Sequence, residues 1–171
     1  MVRLTALLSA SLVGLTAAIT KEKLADFAYY TLDASRVEAD KMAAANVKKV
    51  NAARLSEKRL TELFEAMHFN TLLSREEVRA QFFSVAEDGV DPEVLKAFRQ
   101  SLYMDCDMDK KGAMRGALAL AGIPVDPAPV KDMWDFLYNS VELPKFEAQR
   151  WVVDLLSAEI EPKALSDAWT V

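Results

Sequence analysis

The chain has 171 residues, 51% of them apolar, with 21 Lys+Arg against 26 Asp+Glu and a net charge of −5. That apolar content supports a sizeable core and excludes general disorder. One histidine (His68) and one cysteine (Cys106) exclude an internal disulfide and a Cys/His zinc site built by this chain alone; any His-dependent catalytic centre would have to use His68.

In chain order, Leu4 to Ile19 carries no charge and is bounded by Arg3 and Lys21. Leu4, Leu8, Leu12, Leu15 and Ile19 follow helical spacing, with a row of small residues at Ala6, Ala10, Gly14 and Ala18. Three readings of residues 1–20 stay open: a packed N-terminal helix, a cleavable secretory or organelle leader, or membrane contact through residues 4–19. Residues 21–171 read as one helical array. Thr20 caps a helix through Leu24, Phe27, Ala28 and Leu32, and Ser35 to Ala53 forms a solvated helix with a thin apolar stripe. Ser56 caps the next helix. Ser74 with Glu77 makes a capping box, and Leu73 with Val78 a hydrophobic staple. Gly89 stops that helix. Asp91-Pro92 opens another, and a further helix runs from Lys110 to Ala121. Pro127 and Pro129 precede Val130, Met133, Trp134, Leu137 and Tyr138, and Pro144 opens the last long helix. No segment reads as a strand.

Val90-Asp91-Pro92 recurs as Val125-Asp126-Pro127, 35 residues later. At the same offset Lys96 meets Lys131, Leu102 meets Leu137 and Tyr103 meets Tyr138; Ile160-Glu161-Pro162 is a further echo. Two helices and two turns use about 35 residues, and a lone hairpin cannot bury both apolar faces. The expected fold is all-α: stacked antiparallel helical hairpins with a period of about 35. The clearest units are residues 75–109 and 110–143. A plain helical bundle is the competing architecture.

The period, with the turn Ala121-Gly122-Ile123-Pro124-Val125-Asp126, resembles the pentatricopeptide repeat, over roughly residues 56–162. Members of that family usually read single-stranded RNA, one base per repeat. This chain departs from that pattern: Phe98 and Met133 stand in the second helical turn, where polar reading residues are expected. Residues 74–171 also carry 11 basic against 18 acidic side chains, while residues 1–73 carry 10 against 8. An acidic array repels phosphate, so nucleic acid is not the expected partner. In size, acidity and repeat architecture the chain looks like the pentatricopeptide-like accessory subunits of euglenozoan mitochondrial ATP synthase. That resemblance implies a non-catalytic scaffold on the matrix side of the inner membrane, bound to a larger subunit such as the alpha subunit of the catalytic head. An RNA-binding repeat, and a secreted or lumenal helical protein, are the alternatives.

No catalytic or cofactor motif is present, and the expected protein is neither an enzyme nor a cofactor carrier. Asp105, Asp107 and Asp109 match the first three oxygen positions of a calcium loop, but Lys110 replaces its glycine and Gly116 its bidentate ligand. Asp109 reads as the cap of the next helix. Cys106, between two acids, is expected to be inert, and His68 to meet the carbonyls at its helix end. Trp169, Trp134, Tyr138 and Tyr103 are the candidate partner-binding residues, with Trp169 foremost because a terminal indole must dock on something to be buried. Lys48, Lys49, Arg54, Lys58 and Arg59 read as a solvated basic face.

Overall fold

A computed structural model describes residues 18–123 and 126–169. Among these the fold is all-α, with no strand. Its helices are α1 (Lys21–Tyr30), α2 (Arg36–Ala52), α3 (Glu57–His68), α4 (Arg75–Glu87), α5 (Pro92–Met104), α6 (Lys110–Leu120), α7 (Pro129–Trp134), α8 (Lys145–Ser157) and α9 (Pro162–Trp169). A π-helical segment, Asp135–Ser140, continues α7. The starts are set by side-chain caps. Thr20, Ser35, Ser56, Ser74, Asp91 and Asp109 each accept a backbone N–H from the first turn, and Ser35–Glu38 and Ser74–Glu77 complete reciprocal capping boxes.

Neighbouring helices pair as hairpins, most extensively α1 with α2 and α5 with α6. The third helix pairs with α4, and α7 with its π extension pairs with α8. Alternate helices also touch: α3, α5, α7 and α9 form one layer, and α2 with α4 and α6 with α8 build the other. Each hairpin buries what its neighbour leaves open, which is how a repeat array gains stability. The core follows the sequence period. Leu60, Leu95 and Val130 are buried at one repeat position, Leu63, Phe98 and Met133 at the next, and Met67, Leu102 and Leu137 one turn on. On the second layer the matching set is Phe82, Ala117 and Val152. Burying each large apolar side chain contributes roughly 1.5–3 kcal/mol. Gly116 marks a close approach in this packing: a Cβ there would lie 2.8 Å from Leu102 Cδ1 and 3.1 Å from Val153 Cγ2, so the Leu102 side chain would have to shift.

The turns repeat as faithfully as the core. Asp33, Leu72, Asp107 and Glu142 all take positive φ, between 51° and 62°, two residues before the N-cap positions Ser35, Ser74, Asp109 and Pro144. After the second-layer helices, Arg54, Gly89 and Glu159 are left-handed in the same way. There Leu55, Val90 and Ile160 donate back to Val50, Val85 and Leu155, the six-to-one bond of a Schellman cap.

Several expectations need correction or fall outside this description. Residues 4–17 of the apolar N-terminal segment, and Pro124-Val125 of the repeat turn, lie outside the described residues. Ile19 is buried, and Asn51 holds it by accepting from its N–H at 2.8 Å and donating to its carbonyl at 3.0 Å. Phe98 and Met133 are core residues, so they carry no information about RNA reading. The helix from Pro129 does continue past Tyr138, but as a π turn.

Candidate interaction surface

The left-handed residue of each hairpin gives a register for comparing repeats. Four residues before it stand Tyr29, His68, Tyr103 and Tyr138; three before it, Tyr30, Phe69, Met104 and Asn139. These side chains line one edge of the array, at the ends of the first-layer helices. Phe69 is 75% exposed, with Leu72 and Met104 similarly open, and Tyr103 and Tyr138 are 42% and 41% exposed. Large apolar side chains gathered on one edge mark an interaction surface more often than isolated ones do.

Of the four aromatic candidates, Tyr103 and Tyr138 lie on this edge. Trp134 does not serve as a direct anchor: it is 7% exposed and stacks under Tyr138, with ring centroids 4.6 Å apart. Trp169 is not docked in the core. It is 63% exposed and meets Phe136 edge-on at 6.4 Å. His68 bonds differently from expectation: its Nδ1 lies 3.1 Å from the Leu73 carbonyl of the following loop, and its ring stacks on Phe64.

Asp105, Asp107 and Asp109 do not converge. Ser101 donates to Asp105, Lys145 pairs with Asp107, and Asp109 caps α6. Among the described residues no group of three His, Cys, Asp or Glu is arranged to hold a metal ion. Cys106 is fully buried, and burial first, then the charges of Asp105 and Asp135, push its thiol up to about 12. The flanking acids alone suggested an inert thiol; burial is the larger cause. In the basic stretch, Lys49 pairs with Glu87, Lys58 with Glu62, and Arg59 with Glu62 and Asp91.

The sequence reading passed over the residues that give this edge its chemistry. A pocket of about 250 Å³ opens beside Tyr103, lined by Asn70, Arg99, Gln100, Tyr103, Met104 and Lys110. Arg99, half-buried on α5, donates through Nη1 to the carbonyls of Ala66 (3.3 Å) and Phe69 (2.9 Å). It thereby satisfies carbonyls that the end of α3 would otherwise leave open. Burial lowers the pKa of Arg99, with no compensating carboxylate among the described residues, and the group stays charged at any ordinary pH. Lys110 Nζ donates to Asn70 Oδ1 at 2.6 Å. The pocket is lined by two cations and no acid. A second cleft, between the α7–π segment and α9, is more acidic, with Asp132, Asp135 and Asp167 in its wall against one cation, Lys163.

No helix among the described residues is long and apolar enough to cross a membrane. No curated protein and no solved structure matches the chain. A family model described as "Domain of unknown function (DUF8283)" matches residues 15–171, nearly the whole chain, and the protein belongs to that family.

Proposed function

We propose that this protein is a non-catalytic scaffold: an accessory subunit that docks on a larger protein through the edge formed by the first-layer helix ends. The observation that supports this reading most is the exposed apolar row of Phe69, Leu72, Tyr103 and Met104 on a stacked-hairpin frame. Such frames present extended surfaces to partners. The resemblance to pentatricopeptide-like subunits favours a mitochondrial complex, with the catalytic head of ATP synthase and its alpha subunit as the specific expectation, and a matrix location. RNA reading is less well supported, because the net charge is −5 and Asp132 and Asp135 lie along the same layer. Affinity purification from the native source, followed by native mass spectrometry, tests the proposal. A stoichiometric complex with a larger subunit is the expected result, and recovery of a free monomer overturns it.

A further inference from the structure

The pocket beside Tyr103 differs from its counterparts in the other hairpins at two positions. Seven residues before the left-handed turn residue stand Asp26, Glu65, Gln100 and Asp135, so three hairpins carry an acid where the third carries a neutral amide. One residue earlier stand Ala25, Phe64, Arg99 and Trp134, so the third hairpin alone places a cation there. Three residues after the turn residue stand Arg36, Arg75, Lys110 and Lys145, cationic in every hairpin.

The first hairpin shows what the acid does. Asp26 pairs with Arg36 at 3.0 Å, and the Arg36 guanidinium lies over Tyr29, 3.7 Å from the ring centroid. In the fourth, Asp135 pairs with Lys131 of the preceding turn, while Lys145 pairs with Asp107 of the third hairpin. In the third, Arg99 makes no ion pair among the described residues, and Lys110 reaches across to Asn70 instead. A guanidinium held by carbonyl groups keeps N–H donors free for a planar carboxylate.

We infer that the Arg99–Gln100–Lys110 pocket receives an Asp or Glu side chain from a protein partner, with apolar neighbours of that acid resting on Phe69, Tyr103 and Met104. This rests on the scaffold reading and names the chemistry of its contact. Charge complementarity selects the occupant: the pocket holds two cations and no acid where the first hairpin pairs its cation with Asp26, and Tyr103 and Met104 line it beside them. A nucleic-acid strand fits less well, because its phosphates would run onward to Asp132 and Asp135 of the next hairpin.

The test is selection of a random-peptide phage library on the purified full-length chain. The expected consensus is an Asp or Glu beside Leu, Ile, Phe or Met. A synthetic peptide of that consensus should bind about tenfold or more weakly when its acid is changed to the amide, and when the protein carries Gln100→Glu. That variant gives the third hairpin the internal acid of its neighbours, at an exposed position. Lys110→Met, which removes one cation and leaves Arg99 in place, should also weaken binding, so the result does not depend on one variant. A consensus without an acid, an affinity that Gln100→Glu and Lys110→Met leave unchanged, or oligouridine binding that both variants abolish would each overturn the inference. If a native partner is retained in full by Gln100→Glu, this pocket is not the contact and the scaffold reading survives; if no partner is found for either protein, the scaffold reading falls.

Discussion

The first and third hairpins carry the same kind of edge and finish it differently. In the first, Arg36 covers Tyr29, bonds the Tyr30 hydroxyl at 3.1 Å and is neutralised by Asp26. The charge at this site is balanced by its own residues, although Tyr30 stays exposed. In the third, no guanidinium lies over Tyr103 among the described residues, and Arg99 spends its bonds on backbone carbonyls of the preceding hairpin. Two changes of charge in the repeat, Ala25 against Arg99 and Asp26 against Gln100, separate an edge that balances its own charge from one that can accept a partner's acid.

The largest expected effect removes what supports the open edge. Leu102 is fully buried beneath it, against Gly116, and Leu102→Ala should cost about 2–5 kcal/mol in urea unfolding. Next come the two arginines. Arg99→Met removes two charge-assisted bonds, the one to the Ala66 carbonyl part-buried and the one to Phe69 exposed, and should cost about 1–3 kcal/mol. Arg36→Met breaks only exposed contacts and should cost less than about 1 kcal/mol. Equal losses in thermal unfolding would erase the distinction drawn between the two sites.

A smaller effect concerns how the third hairpin is tied to the second. Glu77 accepts from Lys111 at 2.6 Å and completes the Ser74 capping box. The Lys111 bond first, then the Ser74 N–H, lower its carboxyl from 4.5 to about 2. Because the folded value lies below the ordinary one, this stabilisation is complete above pH 4.5 and fades as pH falls toward about 2. The stability difference between the natural chain and Glu77→Gln should therefore be constant near neutrality and shrink below pH 4.5. A difference that grows on acidification would contradict the assignment. The smallest expected effect is that of Gln100→Glu on the unliganded fold, within about 0.5 kcal/mol of the natural chain in the same unfolding assay.

Caps and core were the legible part of the sequence. Ser56, Ser74, Asp91 and Asp109 announce helix starts by chemistry that acts within one turn, and the spacing from Leu102 to Leu137 reports a buried position shared by two hairpins. Trp134 could not be placed from its type alone, because a tryptophan suits both a core and an interface; only its stacking under Tyr138 settled its burial. The pocket was missed for another reason. Glu65, Gln100 and Asp135 stand at the same offset of 35 that joins Tyr103 to Tyr138, but matched apolar residues draw attention where mismatched polar ones do not. The first hairpin was hidden further, because its turn lies 39 residues before the second one's, Asp33 to Leu72. The left-handed turn residues restored the alignment, and no side-chain pattern predicts positive φ at Leu72 or Glu142.

Cys106 gives the array an internal clock. Its sulfur is sealed in the loop between α5 and α6, where Gln149 of α8 clamps the Cys106 and Asp107 carbonyls at 2.9 Å each. A thiol reagent can reach it only when the packing around this loop opens, and the Gln149 bonds resist that opening. The rate of labelling in native buffer therefore counts openings around this one loop. Because the chain has one cysteine, that count needs no engineered probe.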